Sequence, residues 1–213
     1  MHRDVRTIVL VIGLALIVGT IGCGEPESLM GPSAASDPVP AVPAAAPVLA
    51  PERIDPSTLK PTTTYTIGFS SLRENRASFT SYTESGFDVS VVAADWMSLT
   101  TYGNPLPFIE FYGPAGITTT GELRITARNA PFWLNGIDFY SSTTKIPYVI
   151  DGFLNGEQMF SVADVIGNTF GAFARRSNPK ADTPVQEIRV RLSNPSAACC
   201  GNPMGVDNIV VSR

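Results

Sequence analysis

From residue 62 to the end, the chain alternates short runs of apolar and polar residues, separated by turn-forming clusters. The clearest run is residues 185–193, where charged Glu187, Arg189 and Arg191 alternate with apolar Ile188, Val190 and Leu192. Successive side chains of a strand point to opposite faces, so a period of two predicts a strand with one buried and one solvated face. No window of ten residues shows helical periodicity. This pattern restricts the chain to an all-β fold.

Similar runs predict further short strands, and the chain's 18 Gly and 18 Pro suit the many turns between them. Asn155-Gly156 is a strong hairpin signal, because both residues accept positive φ. About ten strands in some 150 residues predict an antiparallel sandwich of two sheets. The other predicted strands cover residues 64–69, 78–84, 87–91, 107–112, 122–127, 132–141, 146–154, 157–162, 169–175 and 208–212.

The N-terminus has the layout of an export signal. Arg3 and Arg6 precede residues 8–22, which carry no charge and end at Cys23. The cysteine after Ile21-Gly22 resembles the lipobox of bacterial lipoproteins, although Thr20 stands where that family usually has Leu. This resemblance implies removal of residues 1–22 and a lipid on Cys23. The alternatives are a cleaved, soluble protein and an uncut anchor, although 15 helical residues span only about 22 Å of a ~30 Å hydrocarbon core.

A linker is predicted between the signal and the sandwich. Residues 24–61 hold nine of the 18 prolines and no aromatic residue. Such a segment buries too little apolar surface to offset its ordering entropy, and its prolines favour extended polyproline II. We therefore divide the chain into a signal (1–22), a disordered linker (23–61) and a β-sandwich domain (62–213). Gly24 after the cysteine, in place of Asp, points to an outer-membrane or surface location in the bacterial cell envelope.

Charge and histidine content exclude several functions. From residue 61 onward, 11 Lys and Arg stand against 13 Asp and Glu, and this balance argues against a nucleic-acid partner. The one histidine is His2, inside the predicted signal, so Ser-His-Asp and Cys-His nucleophiles are excluded. A glycosidase needs only two carboxylates, and it remains the one catalytic alternative. We predict that the protein is not an enzyme.

Four segments resemble a group of exported bacterial domains that are similar to carbohydrate-binding modules and carry varied surface anchors, including the PEP-CTERM type. They are YTESGF (82–87), IDFYSS (137–142), GFLNG (152–156) and GVDNIVVS (205–212). The resemblance implies a two-sheet antiparallel jelly-roll sandwich of the galactose-binding-like kind. This chain lacks the C-terminal apolar helix and basic tail of PEP-CTERM proteins, so we expect the anchor at Cys23.

Domains of the resembled type often hold a structural Ca²⁺ through a carboxylate before the last strand, which implies a metal role for Asp207. Calcium takes six to eight oxygen ligands, and Glu84 is the expected second protein ligand. The alternative is that Asp207 accepts hydrogen bonds from nearby backbone amides and fixes the entry to the strand.

The adjacent Cys199 and Cys200 have two open interpretations, a vicinal disulfide or two free thiols. Without histidine or further cysteines they do not form a zinc site.

Aromatic residues carry the ligand hypothesis. Sugars are recognised by aromatic faces, with amides and carboxylates binding the hydroxyls. Trp96 with Asp95, and Tyr102 with Asn104, predict a loop-borne glycan site, whereas the alternative for Trp96 is a place in the core. We therefore expect a membrane-anchored, non-catalytic ligand-binding module with a glycan as its ligand. The alternative is a structural or adhesive surface lipoprotein with a protein partner, favoured if every tryptophan is buried.

Overall fold

The computed structural model describes residues 53–196 and 198–213, whose regular secondary structure is almost entirely strand. A short 3-10 helix covers Pro56–Thr58. The strands are β1 Thr64–Ile67, β2 Ser78–Phe79, β3 Ser81–Glu84, β4 Phe87–Ala93, β5 Trp96–Leu99, β6 Phe108–Gly113, β7 Thr119–Thr126, β8 Trp133–Ser141, β9 Ile146–Leu154, β10 Glu157–Ile166, β11 Ala174–Ser177, β12 Glu187–Asn194 and β13 Asn202–Ser212.

The described strands form two antiparallel sheets. The first has the order β11-β8-β13-β6-β5-β2, with β1 also paired to β13, and the second has the order β10-β9-β12-β7-β4-β3. The long strand β13 pairs with β6 through its first half and with β1 through its second half. The domain is therefore all-β, a jelly-roll sandwich of two sheets, as the sequence predicts.

The core lies between the two sheets and is built by the predicted alternation. In β12, Ile188, Val190 and Leu192 are buried against the other sheet, and the charged residues between them face outward. In β6, Ile109 and Phe111 point into the same core. Because each sheet contributes one apolar face, burial of these side chains from water is the main stabilising term of the fold.

Three predicted strands differ most from the structure. Residues 78–84 are two strands in different sheets, because the chain crosses between the sheets at Thr80. The predicted strand 169–175 begins only at Ala174, since Phe170 and Gly171 have φ of 50° and 89°, which are not strand values. Strand β13 begins at Asn202, six residues before the prediction.

Strand β5 was not predicted, because both of its faces are covered. Trp96 faces the core, and Leu99 is buried in a second apolar cluster on the other side of the sheet. The period-2 signal depends on polar residues along one face, whereas the outer face of β5 carries the apolar Met97 and Leu99. The hairpin at Asn155-Gly156 is confirmed, with φ of 53° and 78°.

The described contacts of the domain begin before the predicted boundary at residue 62. The backbone N–H of Ile54 donates to Asn155 Oδ1 at 3.2 Å, and Asn155 Nδ2 donates to the carbonyl of Ile54 at 3.0 Å. The predicted signal, Cys23 and the linker up to residue 52 lie outside the described residues. Among the residues that the structure describes, no helix has the length and apolar character needed to cross a membrane.

Candidate functional site

The prediction that Trp96 stacks on a ligand is wrong. Its side chain is 2% exposed, and its ring packs 4.7 Å, centroid to centroid, from that of Phe111 in the core. The indole N–H donates to the carbonyl of Ala93 at 2.9 Å, so its polar atom is also satisfied internally. The neighbouring Asp95 is exposed in the turn before β5. Trp96 therefore stabilises the sandwich and offers no face to a ligand.

Tyr102 and Asn104, the other two predicted ligand residues, lie on an exposed loop over the outer face of the first sheet. This loop, residues 100–107, lies against the ring of Phe108: a Cβ added at Gly103 would stand 2.6 Å from Phe108 Cε1. Asn104 forms a parallel bridge with Ala172 in the loop of residues 167–173. The structure therefore brings Tyr102 and Asn104 together and separates them from Trp96.

A second apolar cluster lies under these two loops. Ile109 and Phe111 of β6 point into the core. Phe108 lies on the opposite face of the strand, where it is fully buried in the second cluster. Tyr140 of β8 joins it, with ring centroids 5.7 Å apart, and Phe173 covers both rings. This outer layer fixes the loops on the sheet and leaves other aromatic side chains exposed above it.

We call the resulting surface the tyrosine face and define it by Tyr102, Glu110, Tyr112 and Phe170. Tyr102, Tyr112 and Phe170 are 58%, 55% and 78% exposed. Phe170 has a positive φ of 50°, an uncommon conformation for a bulky residue, in the loop between β10 and β11. Large aromatic rings held in water are unusual in a domain with a complete core, and they indicate a binding surface.

An open cleft lies at one end of the tyrosine face. It encloses about 370 Å³ and is lined by Arg76, Met97, Glu110, Tyr112 and Pro203. Burial raises the pKa of Glu110 to about 7, against the opposing effect of the Arg76 charge. Near neutral pH this carboxyl group therefore exists in both forms, able either to accept or to donate a hydrogen bond.

The phenol of Tyr140 connects the cleft to the covering loops. Burial raises its pKa, and Tyr102 and Glu110 both add to this effect, so the three groups lie close together. Gly205 of β13 pairs with Glu110 on one side and with Tyr140 on the other. A Cβ at Gly205 would stand 2.6 Å from the carbonyl oxygen of Ile109, so glycine is needed for this close packing between the two functional groups.

Tyr112 is positioned by the segment before β13. A Cβ at Gly201 would stand 1.6 Å from Tyr112 Oη, so the ring lies directly on a glycine backbone. Cys199 and Cys200 immediately precede this glycine, both exposed, with their Sγ atoms 2.7 Å apart as free thiols. A vicinal disulfide between them stays a prediction.

The two predicted metal ligands lie close enough to influence each other, Glu84 at the end of β3 and Asp207 in the middle of β13. Asp207 is buried, and its Oδ1 has no hydrogen-bond partner among the described residues. Burial raises the pKa of Asp207 to about 7, and the charges of Asp138 and Glu84 add to this. The described residues hold no group of three or more His, Cys, Asp or Glu side chains arranged for a metal ion.

Glu84 already has protein partners. Its Oε2 accepts the backbone N–H groups of Gly68 and Phe69 at 2.8 and 3.0 Å, and its Oε1 accepts the Ser70 hydroxyl at 2.6 Å. Glu84 therefore accepts hydrogen bonds from nearby backbone amides, which is the role predicted from the sequence as the alternative for Asp207. Carboxylate oxygens suit calcium. Of the oxygens of Glu84 and Asp207, the buried Oδ1 of Asp207 has no partner among the described residues.

Sequence reasoning missed Glu110, Tyr112 and Phe170. The predicted strand 107–112 already places Glu110 and Tyr112 on one face, since they are two residues apart. Nothing in the sequence shows that loops would bury Phe108 on that same face. Phe170 was assigned to a strand, whereas it stands at an exposed turn.

Comparison with known proteins gives likeness in overall fold only. No family model matches the chain, and no curated protein matches it. A DUF4465 family protein from Bacteroides caccae is 11% identical with a TM-score of 0.48, covering 70% of this chain and 99% of that one.

Two carbohydrate-binding modules are also similar in structure. A family 61 module in complex with beta-1,4-galactotriose is 10% identical, with a TM-score of 0.41 over 61% of this chain and 89% of that one. A family 29 module complexed with mannohexaose is 15% identical, with a TM-score of 0.42 over 70% and 91%. Because these scores are all below 0.5, the functional assignment rests on this chain's own residues.

Proposed function

We propose that the sandwich is a non-catalytic glycan-binding module and that its ligand lies on the tyrosine face. One observation carries this proposal: an open cleft combines a half-exposed ring, Tyr112, with the carboxyl group of Glu110 and the guanidinium of Arg76. A sugar ring has apolar C–H faces and a rim of hydroxyls. The cleft offers one partner for each, an aromatic wall and charged hydrogen-bonding groups.

The contacts of the cleft suit a neutral sugar. Tyr112, Met97 and Pro203 supply apolar walls, and Tyr112 is held by its packing on Gly201. A preorganised ring loses little conformational entropy on binding. Tyr102 and Phe170 extend the aromatic surface from the cleft across the loops, which suits an extended oligosaccharide better than a single ring.

Binding without turnover is the proposal, since hydrolysis of a glycosidic bond needs two carboxyl groups about 5–10 Å apart. Glu110 is the one carboxyl group in the described lining of the cleft. Asp207 lies on the same sheet but is 2% exposed. We therefore expect oligosaccharides to be recovered intact after incubation with the protein.

The structural or adhesive role is the second candidate, and one observation favours it. Trp96 and Trp133 are both buried, at 2% and 4% exposure, so neither is available to a ligand. Exposed Tyr112 and Phe170 favour glycan binding instead. A protein partner on the same aromatic surface is the outcome expected if no glycan binds.

We also propose a cellular location for the module. The uncharged run of residues 8–22 and Cys23 support export and lipid anchoring at the bacterial cell envelope. Radiolabelled palmitate should then enter the wild type and not Cys23→Ser. Equal labelling of the two proteins would contradict the anchor.

A glycan array followed by calorimetry tests the binding proposal, using the full chain in detergent. Neutral oligosaccharides should bind, and Tyr112→Ala should weaken binding about tenfold, the effect of losing one aromatic contact of about 1–1.5 kcal/mol. Glu110→Gln should weaken it less, since the amide keeps one acceptor. Val92→Ala, an exposed apolar residue on the second sheet, is the control and should bind as the wild type does. Binding unchanged in Tyr112→Ala would remove the proposed site.

We further propose that Asp207 and Glu84 hold a structural Ca²⁺. The support is the buried Oδ1 of Asp207, which has no described partner, and the raised pKa that comes first from burial and then from the neighbouring carboxylates. A divalent cation would give Asp207 Oδ1 a partner and would neutralise the charge of the Asp207 carboxylate. Thermal melting with EDTA and with calcium tests this: calcium should raise the melting temperature of the wild type and not that of Asp207→Asn. Equal melting with and without calcium would contradict it.

A further inference from the structure

The outer face of the second sheet has a different chemistry, built around Glu187 of β12. Its Oε2 accepts a hydrogen bond from Arg124 Nε and its Oε1 accepts one from Arg189 Nε, both at 2.7 Å. Each arginine therefore uses its inner nitrogen for the protein. The one further carboxylate contact described for either is Glu122 Oε1, 3.8 Å from Arg189 Nη1. The outer nitrogens of Arg124 have no described carboxylate partner.

These arginines line a second open cavity of about 300 Å³, which we call the arginine cavity. Its lining also includes Phe153, Thr126, Asn129 and Glu187. The lining itself holds two guanidinium groups and one carboxylate, Glu187, while Glu122 and Asp151 also act on Arg189. Arg124 is therefore the guanidinium of the lining whose outer nitrogens are available to an anionic ligand.

Glu187 is the fixed centre of this arrangement. Burial acts against its ionisation, but hydrogen bonds from Arg189 and Arg124 outweigh that effect and hold the pKa of Glu187 below its ordinary value. The carboxylate therefore stays charged at neutral pH. It holds both guanidinium planes in place before any ligand arrives, so little side-chain entropy is lost on binding.

Phe153 supplies an apolar wall beside the arginines. The guanidinium carbon of Arg189 lies 5.5 Å from the centroid of the Phe153 ring, and the ring itself is half-buried. Arginine pairs with carboxylates through two parallel N–H bonds, a geometry that a lone ammonium group lacks. The cavity thus combines an anion fork with an aromatic surface of the size of one sugar ring.

We propose that the arginine cavity binds a hexuronate unit, a sugar ring that carries a carboxylate, as part of an acidic glycan. The carboxylate pairs with the two outer nitrogens of Arg124, and the apolar face of the ring packs on Phe153 beside Arg189. Thr126 and Asn129 lie within the same lining and are available to the ring hydroxyls. This site lies on the opposite sheet from the tyrosine face, so it stands or falls independently of the neutral-glycan proposal.

Calorimetry on the full chain tests the proposal, with a galacturonate trisaccharide and the neutral galactose trisaccharide of the same linkage. The acidic sugar should bind at least tenfold more tightly through this cavity, and its affinity should fall with added salt. Arg124→Gln should weaken it about tenfold, and Arg189→Gln should weaken it less, because Glu122 already contacts an outer nitrogen of Arg189. Arg124→Lys keeps the charge and loses the fork, so it should also weaken binding. Arg73→Gln, an exposed arginine on a remote loop, is the matched control and should change nothing.

Several results would overturn the proposal. Equal affinity for the acidic and neutral trisaccharides would remove the role of the guanidinium groups. Acetate that competes as well as the trisaccharide does would leave a simple anion site with no sugar contact. Loss of hexuronate binding in Tyr112→Ala, with binding kept in Arg124→Lys, would place the acidic sugar on the tyrosine face. Since Arg124→Lys keeps the ion pair with Glu187, it remains informative if the glutamine variants unfold.

Discussion

The two outer faces of this sandwich are built on the same strand alternation but differ in composition. On the first sheet, outward positions hold buried Phe108 and Tyr140, and the two covering loops add exposed aromatic rings. On the second sheet, outward positions hold Arg124, Glu187 and Arg189. Glu187 forms an ion pair with each arginine, and both arginines are open to water. The difference shows that loops crossing a sheet decide whether its outer face becomes an apolar layer or a charged surface.

The same contrast appears in the acidic groups. On the first sheet burial dominates and raises the pKa values of Glu110 and Asp207 to about 7. On the second sheet burial also opposes the charge of Glu187, but two arginine hydrogen bonds reverse the shift. Glu110 and Asp207 are therefore sensitive to pH near neutrality, and Glu187 is not. The two faces should respond to mutation and pH in opposite ways.

The largest expected difference concerns stability. Phe108→Ala removes a fully buried ring from the outer layer of the first sheet, which should cost about 3–5 kcal/mol of unfolding free energy. Phe153→Ala removes a half-buried ring from the outer face of the second sheet and should cost less than about 1.5 kcal/mol. Urea unfolding of both variants measures the difference. Equal losses would show that the loops do not create a second core.

Asp207 should make the protein less stable as pH rises. Its folded pKa of about 7 lies above the ordinary value of 3.8, so between these values the unfolded state loses the proton first and stability falls with increasing pH. In EDTA at pH 8, Asp207→Asn should therefore be more stable than the wild type by about 1–3 kcal/mol, the cost of an unsatisfied buried polar group. Melting curves at pH 4 and pH 8 measure this. A variant that is less stable at pH 8 in EDTA would contradict the sign.

Glu187 should show the opposite pH dependence with a smaller magnitude. Its folded pKa is lowered, so its contribution is present above the pKa of the unfolded state and is lost as pH falls through the folded value. Both arginines are more than two-fifths exposed, and solvent screening limits the effect to about 1 kcal/mol or less. Glu187→Gln should thus be slightly destabilised at pH 7 and equal to the wild type at pH 3. A constant difference across this range would assign the loss to packing instead of charge.

The sequence predicted the fold class, the hairpin at Asn155-Gly156 and the one-sided strand β12, because these depend on local alternation and turn chemistry. It did not predict β5 or the split between β2 and β3. Those depend on which sheet receives a segment and on what covers its other face. Both depend on contacts between residues that are distant in sequence, which the local spacing of residues does not predict.

The candidate site was predicted only in part, for the same reason. Tyr102 and Asn104 were assigned to a loop site, and both lie exposed on that loop. Trp96 was assigned to it as well, because a tryptophan beside a turn has the same local sequence whether it faces the core or water. Glu110 became a candidate only through its burial beside Arg76, which needs strands distant in sequence to meet.

Amide hydrogen exchange on the full chain, with and without a neutral oligosaccharide at saturating concentration, tests most directly whether the tyrosine face binds a glycan. If the tyrosine face binds the glycan, protection should increase in residues 100–113 and 167–173. Residues 119–126 and 187–194 of the second sheet should exchange as before. Protection confined to the second sheet, or no change anywhere at concentrations that bind on the array, would contradict the account.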